Sequence, residues 1–232
     1  MKHLHGKVVI ITGAGSGLGK ETAFAFAKAG AHVVICDRSY EILEPVEAQI
    51  KEQFKAEVLS IQADVSTESE VKLLIQKAVA TFQRIDIVIN NAAIFQQYNI
   101  IESPLDSWEY QINNNATSVF LMMRESLPYM RKQKSSHIIN ITSGIVREGA
   151  AGYGAYAASK AAIEALTYAV QDEEHKKGIK IHVFNPGVMK TNLNQFGDNP
   201  ANIAPYLVHL VLSSPRSENR VITPNDFQLL NS

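Results

Sequence analysis

The sequence predicts an α/β protein built on one doubly wound parallel sheet, with helices on both faces. Three observations carry that prediction. Short β-branched, apolar runs alternate with longer stretches of helical composition from residue 7 to about 212, as successive βαβ units require. The first such run feeds directly into Thr12-Gly13-Ala14-Gly15-Ser16-Gly17-Leu18-Gly19, which opens a helix. Later runs end in Asn90-Asn91, Thr142-Ser143 and Asn185-Pro186-Gly187, and the C-terminal ends of parallel strands border the crevice where such sheets bind ligands.

The bulk numbers bound the rest. With 232 residues and 46% hydrophobic composition, the chain can bury one sizeable core. No linker, repeat or low-complexity block divides it, so a single dinucleotide-binding catalytic domain over 1–232 is expected. A net charge of −1 with mixed signs argues against a nucleic-acid partner. Cys36 is the only cysteine, which excludes an internal disulfide and a cysteine metal cluster, and no metal site is expected. The apolar runs are too short to span a membrane. Residues 1–6 lack a signal-like apolar stretch. A soluble cytoplasmic protein is therefore expected, without a membrane partner.

In chain order, residues 7–11 read as a strand buried on both faces. The glycine loop follows, then a helix over 20–29 closed by Gly30. Gly13, Gly17 and Gly19 space as G-x-x-x-G-x-G, with Ser16 and Leu18 between them. Glycine lets backbone approach a pyrophosphate, and the helix N-terminus offers it free N–H groups. Residues 32–36 form the second strand, with Cys36 a small core hydrophobe and Asp37 at the strand end, 18 residues past Gly19. A carboxylate there accepts ribose hydroxyls and repels a 2′-phosphate, so NAD(H) is preferred. The neighbouring Arg38 leaves NADP(H) possible.

Residues 41–54 read as a helix that tolerates Pro45 near its start. A third strand over 58–62 ends in Ala63-Asp64-Val65. Asp64 either meets an adenine amino group or serves as a turn before the helix at 67–82, which Ser66 or Thr67 would cap. Residues 85–89 form the fourth strand and lead to Asn90-Asn91-Ala92-Ala93. Those amides tie loops together and border a cofactor, and the small alanines allow close approach.

A long helix is expected over 105–132, with Trp108 as a packing anchor. Its Asn113-Asn114-Asn115 run signals a local distortion, a polar task or an exposed patch, because asparagine is a poor mid-helix residue. Residues 137–141 form the fifth strand, followed by Ser143, a glycine-rich loop over 149–154, and Tyr156 at the start of a helix over 157–176. Lys160 lies one helical turn beyond Tyr156. A free phenol titrates near pH ~10, and an adjacent cation lowers that value toward the range useful for proton transfer. The sixth strand is 179–184, the Pro186-Gly187 turn offers exposed backbone to a flat amide, and the loop 192–200 is short. A helix at 203–212 and an edge strand at 220–223 complete the pattern, and 224–232 carries no signal.

Taken together, these motifs resemble the classical short-chain dehydrogenase/reductase family over residues ~5 to ~192. The resemblance implies a Rossmann-like fold and an NAD(P)-dependent oxidoreductase that interconverts an alcohol and a carbonyl. It implies that Tyr156 is the general acid/base, that Lys160 lowers its pKa and holds the nicotinamide ribose, and that Ser143 orients the substrate oxygen. Asn115 would hold a water in the proton relay, in register with Trp108 and Ser118-Val119-Phe120. The cofactor would further meet Gly13, Ser16, Gly17, Leu18, Gly19, Asp37, Asp64, Val65, Asn91, Ala92, Pro186 and Gly187, with the Val188 backbone and Thr191 on its carboxamide. Three departures stand out: Ala93 and Ser118 replace the family's usual glycines, and its C-terminal Thr-Gly…Val-Asp-Gly-Gly segment is absent. A silent dinucleotide-sensing protein on the same fold is the competing reading. Relatives pair through the helices 105–132 and 157–176, implying a homodimer or homotetramer, and Ala161, Ala162 and Ala165 would allow close packing there or else face the sheet. Ile145, Arg147, Tyr153, Met189, Leu193 and Phe196 are candidates to line the pocket for a small carbonyl or alcohol substrate.

Overall fold

The computed structural model describes residues 4–133, 135–192, 194–213 and 220–228. Leu193, residues 214–219, the last four residues of the C-terminal stretch and the first three residues of the opening segment lie outside them.

Seven strands form one parallel sheet in the order β3-β2-β1-β4-β5-β6-β7. They are β1 Val8–Thr12, β2 His32–Asp37, β3 Val58–Gln62, β4 Ile87–Asn90, β5 Ser136–Ile141, β6 Ile179–Phe184 and β7 Val221–Ile222. β1, β4 and β5 are buried along their whole length, which is why they read as continuous apolar runs rather than alternating ones.

Helices α1 Gly17–Lys28, α2 Tyr40–Gln53 and α8 Pro200–Ser213 share a core with one face of the sheet. Helices α3 Glu68–Phe82, α5 Ser118–Met130 and α7 Gly154–Glu174 share a core with the other. The chain winds outward from β1 to β3, then restarts at β4 on the other side of β1. The gap between the C-terminal ends of β1 and β4 is therefore the switch-point crevice.

The expected helix over 105–132 is interrupted. α4 Leu105–Ile112 gives way to a widened π-helical turn, Asn113–Thr117, before α5 resumes. The three asparagines mark that distortion. Trp108 is 37% exposed, so it is not the packing anchor expected. Thr67 caps α3 in extended conformation but makes no side-chain cap bond. Two short helices escape the sequence pattern, α6 Ile145–Glu148 and α9 Asn225–Gln228. The second is held by Phe227, which is 1% exposed and lies 5.3 Å from the Tyr206 ring. α7 begins at Gly154 and α8 at Pro200, both earlier than expected. A proline in the first helical turn forfeits only an N–H with no helical partner.

Candidate active site

A cavity of about 690 Å³ runs along the C-terminal edge of the sheet. Its architecture follows from local needs of the loops that border it. Gly13 has φ +64, and a Cβ there would lie 2.9 Å from Ala92 Cα. A Cβ on Gly19 would lie 2.1 Å from the Gly13 carbonyl oxygen, so α1 packs directly on the loop before it. Ser16 precedes α1 without a side-chain cap bond, leaving first-turn N–H groups for an anion.

Amides and hydroxyls fix the strand ends. Thr12 Oγ1 accepts the Asn91 and Ala92 N–H groups, both at 3.1 Å. Asn91 Nδ2 donates to the Thr12 and Gly13 carbonyls. Asn90 Nδ2 donates to Asn140 Oδ1, and Asn140 Nδ2 to Thr167 Oγ1.

Most of the expected site residues meet around this cavity. Gly13, Ser16, Gly17 and Leu18 line one wall, and Asp37, Asp64 and Val65 line one end. Asn91 and Ala92 line it after β4; Pro186, Gly187, Val188 and Thr191 border it from beyond β6; Ser143, Tyr156 and Lys160 also line it. Gly19 and Asn115 do not line it. Gly19 serves packing, as above. Asn115 is fully buried. Its amide clamps Ile94, accepting the Ile94 N–H at 2.8 Å and donating to the Ile94 carbonyl at 3.0 Å, and it also donates to Ser159 Oγ at 3.0 Å.

The acidic end is already organised. Asp37 accepts the Gly15 N–H at 3.1 Å and the Arg38 N–H at 2.8 Å. Asp64 accepts the Ser66 N–H and hydroxyl, so its turn role is real alongside its place in the cavity. The Arg38 guanidinium donates to the Tyr110 hydroxyl at 2.8 Å. That bond, ahead of the nearby Asp64 and Asp37 charges, holds the Arg38 pKa up.

At the other end, Lys160 is 2% exposed and donates to the Ile141 carbonyl at 2.9 Å. Its Nζ lies 5.6 Å from the centre of the Tyr156 ring. Burial pushes Lys160 down to about 8. Burial, followed by the Tyr153 phenol, pushes Tyr156 up to about 12. The lowered phenol pKa expected from the Tyr156–Lys160 spacing is thus not what the chain's own residues produce. Desolvation outweighs a cation whose donor is turned to Ile141. Ser143 Oγ accepts the Ile145 N–H at 3.4 Å.

Three cavity features were not assigned to the site from the sequence. Phe95 stacks on Tyr153 at 4.5 Å and meets Tyr156 edge-on at 5.4 Å. Glu148 and Asn114 also line the cavity. Of the other expected pocket residues, Ile145, Tyr153 and Met189 line it, whereas Arg147 and Phe196 do not.

The residues fit a dinucleotide: a glycine loop closed to a Cβ at Gly13 and Gly19, the carboxylates Asp37 and Asp64, and a Tyr–Lys–Ser set share one cavity. The profile of the short chain dehydrogenase family matches residues 7–200. The chain belongs to the short-chain dehydrogenase/reductase family. As such it is an oxidoreductase that uses NAD(P) on CH–OH groups of small molecules. It is 35% identical to a 3-oxoacyl-(acyl-carrier-protein) reductase of Synechocystis sp., over 84% of this chain and 79% of that one. It also superposes on levodione reductase, with a TM-score of 0.88 and 29% identity over 98% and 99% of the two chains. A short-chain dehydrogenase of Burkholderia cenocepacia in complex with NADP gives a TM-score of 0.88 at 26% identity, over 96% and 97%. No helix among the described residues is long and apolar enough to cross a membrane.

Proposed function

We propose that this short-chain dehydrogenase/reductase interconverts a carbonyl and an alcohol with Tyr156 as general acid/base, Ser143 as substrate-orienting hydroxyl, Lys160 as supporting cation and NAD(H) as preferred cofactor. The observation that carries the proposal is a single cavity joining the glycine loop to Ser143, Tyr156 and Lys160. NAD(P), when bound, supplies or accepts the hydride. Gly13, Gly17 and Leu18 hold its phosphates, Asp37 its adenosine ribose, and Val188 and Thr191 its amide end.

The proton is the chain's own task. With its pKa raised to about 12, the Tyr156 phenol is protonated at neutral pH, the form that donates to a carbonyl oxygen. The Ser143 oxygen already accepts a backbone N–H, which leaves its hydrogen free to bond the same substrate oxygen. Phe95, edge-on to Tyr156, fixes the ring. Asn115 acts as a positioning residue through Ile94 and Ser159.

NAD is favoured because Asp37 sits at the adenosine end and the one nearby guanidinium, Arg38, is drawn away to Tyr110. A homodimer through α5 and α7 is supported by the half-open Phe120 on α5, 43% exposed, and by the exposed Ala162 and Ala165 on α7, which do not face the sheet.

A screen of aldehydes and ketones followed by NADH absorbance tests the activity. Tyr156→Phe is expected to lose ~10²–10⁴-fold in turnover while keeping NAD affinity. Unchanged turnover in that variant overturns the mechanism.

A further inference from the structure

The substrate end of the cavity has a chemical character of its own. Phe95 and Tyr153 stack there at 4.5 Å, beside Tyr156. Ile145 and Met189 add apolar surface, and Glu148 adds a carboxylate.

Glu148 is set apart from the other acids. It closes α6, the four-residue helix that follows Ser143 and Gly144. Its Oε1 occupies the space a side chain on residue 144 would need, 3.0 Å from where that Cβ would lie. The carboxylate of this exposed residue therefore lies against Gly144, next to Ser143 at the strand end. Among the described residues it has neither an ion-pair partner nor a side-chain hydrogen bond. Lys160, the cation at that end of the cavity, is engaged with the Ile141 carbonyl. Arg147, adjacent in sequence, does not line the cavity and lies within electrostatic reach of Tyr168 instead.

An unpaired carboxylate that shares a cavity with a stacked aromatic pair recognises a cation carried on a flat ring. The ring adds a layer to the Phe95–Tyr153 stack, while the ammonium gains a charge-assisted hydrogen bond and favourable contact with ring faces. A carboxylate or phosphate on the substrate meets like charge and is rejected, and such repulsion contributes to specificity as much as attraction does.

Resting on the carbonyl–alcohol activity proposed above, we propose that this site selects ring-bearing carbonyl compounds that carry a cationic amine, and their alcohols, with Glu148 and the Phe95–Tyr153 pair as specificity-determining residues.

The test compares kcat/KM with NADH, at neutral pH, for three probes: para-(aminomethyl)acetophenone, para-carboxyacetophenone and cyclohexyl methyl ketone. The amine is expected to exceed the carboxylate by about tenfold or more, and the ratio to fall severalfold in Glu148→Gln and to invert in Glu148→Lys. Glu148 is exposed, so both variants should fold. Equal use of amine and carboxylate, or a ratio indifferent to residue 148, overturns the proposal. Equal use of the amine and the cyclohexyl ketone, which lacks both the flat ring and the ammonium, overturns the proposal as well. If no probe is turned over, the oxidoreductase reading is what fails on these compounds. Calorimetric binding of the two charged probes to the NADH-loaded protein then decides the selectivity, because tighter amine binding lost in Glu148→Gln upholds it and equal binding overturns it.

Discussion

Arg38 reaches out from the end of β2 and donates to the Tyr110 hydroxyl on α4 at 2.8 Å. The two residues are 72 positions apart in sequence, one just after β2 and the other on α4. Their bond occupies the guanidinium of Arg38, which lines the cavity together with Asp37 and Asp64. Tyr110→Phe releases it. The NADP affinity is then expected to rise relative to NAD by severalfold, the worth of one hydrogen bond of ~1 kcal/mol. Titration calorimetry with both cofactors measures this, and an unaltered ratio would show that Tyr110 has no hold on selectivity.

Lys160 is held buried at a cost to stability. Its pKa falls from 10.5 to about 8 on burial, so the unfolded chain binds its proton more tightly. The resulting cost is full below about pH 8 and is relieved as pH rises toward 10.5. A shift of this size corresponds to a penalty on the order of 3 kcal/mol. Lys160→Met removes the penalty but leaves the Ile141 carbonyl without its donor. A net gain of about 1–2 kcal/mol in urea unfolding, with turnover lost, is the expected outcome.

A second pH effect arises far from the cavity. His137 and His182, on adjacent strands, stack at 5.8 Å. His137 Nδ1 and His182 Nε2 are buried without hydrogen-bond partners. Burial lowers His137 from 6.5 to about 3 and His182 from 6.5 to about 4, helped by Lys180 and, for His137, by its partner ring. Both are neutral in the fold and charge more readily when unfolded. Stability is therefore fully present above pH 6.5 and declines as pH falls toward about 4. The urea midpoint should drop between those values, and His137→Leu should flatten the drop. An equally steep drop in the variant would assign it to other groups.

Asn115→Leu strips both polar groups of the Ile94 backbone and Ser159 of their shared partner. A loss of about 2–4 kcal/mol in urea unfolding is expected. Turnover should fall as well, because Phe95 follows Ile94 directly and braces Tyr156. Unimpaired turnover in the folded variant would separate this clamp from catalysis.

Much of this molecule was legible before any coordinates. Short β-branched and apolar runs read as strands, so β3 and β6 fall at the expected residues, and the glycine loop declared the first crossover. The polar strand ends placed Ser143, Asn91 and Pro186 on one edge, because a parallel sheet sends every C-terminus the same way. The π-helical turn was half legible: three asparagines announced trouble without revealing its form. α9 was not legible, since four residues have no periodicity and Phe227 finds its place only against Tyr206 and α8.

The sequence by itself determined the fold, the glycine cradle and the membership of the Tyr156–Lys160–Ser143 set, because each depends on local spacing or on a direction shared by all strands. The tertiary structure alone decided their energetics and surroundings. Whether Lys160 lowers or merely accompanies the Tyr156 pKa depends on desolvation and on where its donors point. Whether Arg38 is free, whether Asn115 touches the cavity and whether Glu148 is paired depend on neighbours from elsewhere in the chain. Burial and long-range hydrogen bonds are properties of the assembled chain, and no local pattern encodes them.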